Sequence, residues 1–133
     1  MSEYHQIDIG LKDQECIIKT LEELGYKPQI HAEAVPLTGF QGDKRKQKAH
    51  IVIPRKQVGG ASNDVGFELI NGEYVLRVSE FDKGKKKLRP NQLKQLYAKH
   101  KVEKTISSKA RKYKLKSKTV DADGRIRIKV AIR

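Results

Sequence analysis

The chain has 133 residues, of which 37% are hydrophobic and 34% are charged, and its formal net charge at pH 7 is +13. This size and composition are typical of one domain that buries about two thirds of its unfolded surface, which excludes a wholly disordered chain. The single cysteine, Cys16, excludes an internal disulfide and a cysteine-based metal site, and it is typical of a reducing compartment.

Neither a membrane segment nor a secretion signal is apparent. No apolar run approaches the ~18 residues that cross a membrane, and residues 1–6 lack the pattern of a signal peptide. We therefore expect a soluble protein of the cytoplasm, or of another reducing intracellular compartment, without a membrane partner.

The first elements are a strand and a helix. Ile7 and Ile9 alternate with polar residues, which predicts a strand that ends near Leu11. A helix over 13–24 follows, with Asp13 as the N-cap and Gly25 at the left-handed position after its last turn. Its hydrophobic residues recur at i, i+4 and i+7: Ile17, Leu21 and Leu24.

Four strands come next along the chain. The patterns predict them at Pro28–Val35, Ala49–Pro54, Asp64–Ile70 and Tyr74–Val78. Asn71-Gly72 predicts a tight hairpin turn between the last two strands. The segments Gly39–Lys46 and Lys56–Ser62 are rich in glycine, which predicts loops.

The C-terminal part contains a helical segment and a hairpin. After a basic loop at Lys83–Arg89, Pro90 is suited to the first turn of a helix. The apolar face of this helix changes phase after His100, which predicts a break or bend there. Two strands, Tyr113–Val120 and Arg125–Ile132, flank a turn sequence at 121–124.

The predicted order is β-α-β-β-β-β-α(bent)-β-β. Because most neighbouring strands are joined by hairpins, we expect an α+β fold in which a mostly antiparallel sheet carries helices on one face. The chain is predicted to form a single domain over 1–133, with a neutral or acidic part at 1–82 and a strongly basic part at 83–133.

The charge is polarised along the chain. Residues 83–118 contain fifteen Lys or Arg and one acid, whereas residues 1–40 contain three basic and seven acidic residues. A strongly cationic half beside a neutral half is typical of a domain that binds a polyanion. The predicted nucleic-acid contacts are Lys83, Lys85, Lys86, Lys87, Arg89, Lys114, Lys116, Lys118, Arg125, Arg127 and Lys129.

Each basic cluster also has a purely structural interpretation. If the basic faces of the two C-terminal strands coincide, like charges oppose each other and a polyanion would relieve their repulsion. Alternatively, the lysines protect a solvated sheet edge from aggregation. The loop at 83–89 presents cations on a flexible backbone suited to phosphates, or is simply solvated. For the smaller cluster at 44–48, solvation is favoured.

We find no signature of an enzyme. The four histidines lack the short spacing of metal ligands, Cys16 is expected to be buried, and no phosphate-binding glycine loop or nucleophile motif occurs. No metal or other cofactor is expected. Tyr97 and Tyr113 are interpreted as core residues rather than as surfaces for base stacking.

Two functional hypotheses remain. The first is a small non-enzymatic domain that binds RNA or DNA by phosphate contacts and shape rather than by sequence. The second is a protein–protein adaptor or assembly subunit whose basic half meets an acidic protein partner. The nucleic-acid hypothesis predicts a steep salt dependence of the affinity.

Seven short pieces of the chain occur in the order of a known family. They are LKDQEC (11–16), LEELGY (21–26), GFQG (39–42), AHIVI (49–53), DVGF (64–67), NGEY (71–74) and DGRIR (123–127). In this order the chain resembles the hypothetical chloroplast open reading frame thirty-five family, an uncharacterised family of plastids and cyanobacteria. The resemblance implies one conserved domain and a plastid as a further compartment, without a reaction or cofactor. After Val78 the family is rich in Trp and acids, whereas this chain is rich in Lys.

Overall fold

A five-stranded antiparallel sheet, packed against helices, forms the centre of the protein. The structure, a computed structural model, describes residues 3–112, 115–120 and 126–130, with side chains to residue 109. The strand order in the main sheet is β1-β5-β4-β3-β2, and β6 pairs with β7. The elements are β1 (Tyr4–Leu11), α1 (Gln14–Glu23), β2 (Gln29–Thr38), β3 (Lys44–Ile53), α2 (Arg55–Val58), β4 (Val65–Ile70), β5 (Glu73–Ser79), a 3₁₀ turn (Lys86–Leu88), α3 (Pro90–Lys112), β6 (Leu115–Val120) and β7 (Ile126–Val130).

The main core lies between one face of the sheet and the helices. Ile17 and Leu21 from α1, and Leu93 from α3, pack with residues of all four strands β1, β3, β4 and β5. Phe67 and Leu76 at the centre of the sheet are fully buried in this cluster. The prediction of an antiparallel α+β fold with helices on one face is therefore confirmed.

The opposite face of the sheet has a smaller apolar cluster of its own. Leu37, Ala49 and Val52 are buried there. Gly66 is paired with Val52 in the register of β3 and β4, and a methyl group at Gly66 would meet the side chains of Leu37 and Ala49. The second cluster therefore depends on the absence of a side chain at this glycine.

The predicted ends of α1 are confirmed. The carboxylate of Asp13 accepts a hydrogen bond from the backbone N–H of Cys16, which is the N-cap interaction. At the other end, the Tyr26 N–H donates to the Leu21 carbonyl, while Gly25 has φ +93°. This pattern is the Schellman motif, in which a glycine adopts the left-handed conformation that ends the helix.

The predicted hairpin at Asn71-Gly72 is also present. Both residues have positive φ, 52° for Asn71 and 82° for Gly72, and Ile70 pairs with Glu73 on either side of them. Two consecutive left-handed residues form a type I′ turn, whose twist matches that of the strands β4 and β5.

Two predicted loops are shorter than expected. β3 begins at Lys44 rather than at Ala49, because Lys44 and Lys48 pair with Thr38 and Pro36 and extend the hairpin with β2. The loop between these strands is thereby reduced to residues 39–43. The loop predicted at Lys56–Ser62 is also shorter, because its first three residues, 56–58, belong to the single helical turn α2.

The predicted break near His100 is wrong. The helix α3 runs without a break from Pro90 to Lys112. Its N-terminal half packs Leu93 into the core, whereas Val102 and Ile106 are 58% and 50% exposed. The change of phase in the sequence therefore marks the point at which α3 stops covering the core, rather than an interruption of the helix.

Substitution of Gly66 by Ala tests the packing of the second cluster. The added methyl group has to displace buried neighbours, so we expect Gly66→Ala to lower the free energy of unfolding by about 1–3 kcal/mol. Gly60→Ala is the matched control, since no atom lies within 4 Å of a methyl group there. Urea denaturation followed by circular dichroism measures both, and equal stabilities of the two variants would contradict this packing.

Candidate nucleic-acid interface

The basic segment Lys83–Arg89, called here the basic turn, has a defined backbone. The N–H groups of Asp82 and Lys83 donate to the carbonyl of Ser79 at 3.0 and 2.9 Å, and the Leu88 N–H donates to the Lys85 carbonyl at 3.0 Å. Leu88, 1% exposed, anchors the segment in the core. The expectation of a flexible loop is wrong, because successive backbone hydrogen bonds and this apolar anchor order the segment.

Three lysines of the basic turn have partners within the protein. Lys83 forms an ion pair with Glu80 at 2.9 Å. Lys85 lies 3.9 Å from a carboxylate oxygen of Asp82, and its ammonium group is 5.7 Å from the centroid of the Phe81 ring. The ammonium group of Lys87 is 5.6 Å from the centroid of the Tyr26 ring.

The two other cations of the basic turn face solvent. Lys86 and Arg89 are exposed, and no acid among the residues with described side chains forms an ion pair with either. They line an open groove of about 550 Å³ at the start of α3, together with Pro90, Asn91 and Gln92 and with Gln95. The first turn of α3 contains no acidic residue. The groove is therefore a cationic surface at a helix N-terminus.

A buried polar network fixes the start of the basic turn. Asn63 is 2% exposed, and its backbone N–H donates to the carboxylate of Asp82 at 3.0 Å. The side-chain amide of Asn63 donates to the hydroxyl of Ser79 at 2.9 Å, and that hydroxyl donates to Asp82 at 2.8 Å. Because a buried polar group without a partner is costly, these contacts hold the segment 79–82 in one position.

The same network reaches the hairpin of β2 and β3. The N–H of Phe40 donates to the side-chain oxygen of Asn63 at 3.0 Å. The neighbouring carboxylate of Asp64 accepts from the N–H groups of Thr38 and Arg55 at 2.8 and 2.7 Å. Asn63 and Asp64 thus join three loops at this end of the sheet, a role that no local sequence signal indicated.

Two exposed aromatic side chains lie at these loops, and neither was predicted from the sequence as a candidate for base stacking. Phe40 is 41% exposed and Phe81 is 55% exposed. The aromatic candidates near basic residues in the sequence were Tyr97 and Tyr113. The hydroxyl of Tyr97 accepts hydrogen bonds from the N–H groups of Lys12 and Asp13, which agrees with a structural role, while Tyr113 lies outside the described residues. A signal was present, since Phe81 lies two residues before the basic turn.

Part of the positive charge of α3 is neutralised inside the protein. Lys101 and Lys104 pair with Asp13 at 3.2 and 2.6 Å, and Lys104 also pairs with Glu15 at 3.0 Å. Lys99 pairs with Glu23 at 2.6 Å. The acidic helix α1 therefore compensates part of the basic stretch, so the charge is less polarised in space than along the sequence.

These ion pairs shift the protonation of Asp13. Burial raises the pKa of this carboxyl, but hydrogen bonds from Lys104, from the Cys16 N–H and from Lys101 outweigh it and lower the pKa to about 2. Hydrogen bonds to Asp13 and Glu15 raise the pKa of Lys104. From Lys101 to Lys109, Lys104 is the only residue of α3 with intermediate exposure, and the others are exposed. Ion pairs with α1 therefore hold this part of the helix.

The C-terminal hairpin lies largely beyond the part whose side chains are described. Lys114 and Arg125 fall outside the described residues. The backbone register pairs Lys118 with Ile128, Arg127 with Thr119 and Lys129 with Ser117, with an irregularity of register at Lys116. At these paired positions no two cations face each other, so the condition that the two basic faces coincide is not met there. The assignment of this hairpin as a binding face stays a prediction.

Three of the four histidines have structural partners. His5 pairs with Glu80, His100 pairs with Glu23, and His50 accepts the Leu69 N–H. Among the residues that the structure describes, no group of three His, Cys, Asp or Glu could hold a metal ion. Cys16 is buried, which raises the pKa of its thiol. No helix in the described ranges is both long and apolar enough to span a membrane.

Comparison with known proteins places the chain in a family. A family model described as a protein of unknown function, DUF1257, matches residues 20–129. The chain belongs to the DUF1257 family. The match runs from the last residues of α1 into β7, so the strands β2 to β5, the basic turn and α3 lie within it, while β1 precedes it. The expected membership in a family of unknown function is confirmed. No curated protein and no solved structure matches the chain.

Removal of the Asp13 charge tests the contact between α1 and α3 in this DUF1257 domain. In Asp13→Asn the amide oxygen can still cap α1, but Lys101 and Lys104 lose their anion. We expect a loss of about 1–2 kcal/mol in the free energy of unfolding near pH 7.

The pH dependence has a definite sign. The folded pKa of Asp13 lies below its ordinary value of 3.8, so its contribution is fully present above about pH 4 and disappears as the pH falls towards 2. Urea denaturation of wild type and Asp13→Asn from pH 7 to pH 2 measures it, with the exposed Asp8→Asn as control. A difference between wild type and variant that persists at pH 2 would contradict the assignment.

Proposed function

We propose that this protein is a non-enzymatic nucleic-acid-binding domain that contacts phosphates through the basic turn. The observation that carries the proposal is the arrangement of Lys86 and Arg89 on either side of the buried Leu88. The apolar anchor fixes the backbone between two exposed cations. Such an arrangement reduces the conformational entropy that the turn would lose when it binds a polyanion.

The N-terminus of α3 supports the same proposal. Backbone N–H groups at the start of a helix carry a partial positive charge and favour phosphate. Lys86 and Arg89 line the groove beside this helix start, and Asn91 and Gln92 add side-chain hydrogen-bond donors. Arg89 can present two N–H donors to one phosphate, whereas Lys86 acts as a point charge.

Not every cation of the basic stretch is available to a ligand. Lys99, Lys101 and Lys104 are engaged with acids of α1, so the proposed contact surface is the basic turn and the start of α3. The cations of the C-terminal hairpin, among them Lys116, Lys118, Arg127 and Lys129, are proposed as further contacts. Contacts to phosphates alone carry no sequence information, so the proposed binding depends on charge and shape.

An acidic protein partner is the second candidate. The observation that favours it is the exposure of Val102 and Ile106 on one side of α3. Exposed apolar residues beside lysines are suited to a partner that is both acidic and apolar. A partner of this kind would resist nuclease during purification, whereas bound nucleic acid would be removed by nuclease and high salt.

The narrower family placement and the compartment are proposals as well. The order of the matching sequence pieces supports a relationship, within DUF1257, to the hypothetical chloroplast open reading frame thirty-five family. The single, buried Cys16 supports a reducing compartment, the cytoplasm or a plastid.

Neutralisation of the two exposed cations tests the proposed function. We expect Lys86→Gln/Arg89→Gln to weaken binding to duplex and single-stranded nucleic acid alike, because both ligands carry phosphates. The slope of log affinity against log salt should fall by roughly 0.7–0.9 for each lost contact, or about 1.4–1.8 in total. Fluorescence anisotropy with labelled oligonucleotides at several salt concentrations measures this slope.

A matched control keeps the net charge equal. Lys12→Gln/Lys19→Gln removes two exposed lysines that pair with Glu73 and Glu15, so its formal charge equals that of the first variant. We expect this control to retain nearly the whole slope. If both double variants lose affinity equally, binding reflects bulk charge and the basic turn is not the contact surface.

A further inference from the structure

Two of the three phenylalanines in the chain do not contribute to the core. Phe67 is fully buried at the centre of the sheet, whereas Phe40 and Phe81 are 41% and 55% exposed. Leaving an aromatic ring in water forgoes the stabilisation that its burial would give. Folding therefore gains only part of the stabilisation that a large aromatic residue could give at these two positions.

The backbones beside both rings are fixed by one residue. The N–H of Phe40 bonds to the side chain of Asn63, whose own N–H bonds to the carboxylate of Asp82, the neighbour of Phe81. The turn that carries Phe40 is closed by the hydrogen bond from Gly39 N–H to the Asp43 carbonyl at 2.8 Å. Both exposed rings therefore project from ordered turns that share the buried Asn63.

Cations accompany each of these rings. The ammonium group of Lys85 lies 5.7 Å from the centroid of Phe81, and Lys83 follows two residues after that ring. On the other turn, the exposed Lys44 follows Phe40 by four residues in sequence and donates to the hydroxyl of Thr38 at 3.2 Å. An aromatic face beside a flexible cation is the combination that binds a base together with its phosphate.

We propose that the ligand is single-stranded nucleic acid, whose bases stack on Phe81 and Phe40 while the basic turn contacts its phosphates. The proposal rests on the function proposed above and adds a ligand class to it. In a duplex the faces of the bases are covered by neighbouring base pairs, whereas in a single strand they are free to stack on aromatic side chains. Stacking of this kind tolerates any base. The proposed site therefore prefers single strands to duplexes but does not distinguish one base sequence from another.

The absence of tryptophan from the chain allows a direct measurement. The chain contains no Trp, so Phe81→Trp introduces a single fluorophore at the proposed stacking position. Leu69→Trp is the matched control, because Leu69 is 41% exposed on β4 and is not part of the proposed surface. The ligands are a 12-nucleotide single-stranded RNA, the corresponding single-stranded DNA, a 12-base-pair duplex and heparin.

The expected result separates stacking from charge. We expect single strands to quench the fluorescence of Phe81→Trp to saturation, while the duplex and heparin bind with little quenching. The fluorescence of Leu69→Trp should respond to none of the four ligands. Anisotropy with labelled ligands, recorded in parallel, establishes that each ligand is bound at the concentrations used.

Removal of the rings provides an independent measurement. We expect Phe81→Leu and Phe40→Leu each to weaken single-strand binding at least about fivefold, the lower limit for loss of one stacked base. Affinity for the duplex and for heparin should change less than about twofold, because the cations are intact. Leu69→Ala is the control for loss of an exposed apolar side chain, and circular dichroism verifies that each variant is folded.

The outcomes distinguish this proposal from the function on which it rests. Single-strand binding that is unaffected by both Phe→Leu substitutions, without quenching of Phe81→Trp, overturns the stacking proposal and leaves a phosphate-binding domain. If wild type binds neither strand nor duplex, both proposals fail together. Binding of polyglutamate that depends on Phe81, with no binding of single strands, overturns the ligand class and favours an acidic protein partner.

Discussion

The buried Asn63 must find hydrogen-bond partners for its polar groups. Its hydrogen bonds organise the end of the molecule that carries the proposed binding surface. Asn63 is 2% exposed, and it has hydrogen-bond partners at Phe40, Ser79 and Asp82. A buried donor or acceptor left without a partner costs about 1–3 kcal/mol. Three chain segments are therefore held in one arrangement, because moving any of them would leave such a group unpaired.

Asp64 extends this constraint to the sheet. Its carboxylate accepts the N–H groups of Thr38 and Arg55, while its backbone carbonyl accepts the hydroxyl of Tyr4 at 2.6 Å. The strands β1 and β2 lie at opposite edges of the sheet, yet both contact this one residue. The ordered positions of the basic turn and of the exposed phenylalanines thus follow from interactions made beneath the surface, not from contacts among the surface groups themselves.

Local sequence signals predicted the features that depend on near neighbours. Asp13, Gly25 and Asn71-Gly72 are capping and turn residues whose conformational preferences act within a few residues, and all three predictions are confirmed. The antiparallel α+β fold followed from the order of the elements and the hairpins between them. The break predicted at His100 was wrong because the change of phase reflects where the core ends, which the periodicity of α3 alone does not encode.

The site itself was only partly predictable. The clustering of cations at 83–89 is visible in the sequence, but the ion pairs of Lys101 and Lys104 with Asp13 join residues about ninety positions apart. Which cations stay unpaired therefore depends on tertiary structure. The same holds for Phe40 and Phe81, because sequence alone did not distinguish their exposed rings from that of the buried Phe67.

Mapping of a bound single strand onto the protein tests the central claim most directly. Backbone amide chemical shifts of ¹⁵N-labelled protein, titrated with a 12-nucleotide single-stranded RNA, report the contact surface residue by residue. The account predicts saturable shifts at 80–92 and at 39–44, with the helix α1 and the turn at 71–72 unaffected. Shifts that avoid both 80–92 and 39–44, in a titration that reaches saturation, would contradict it.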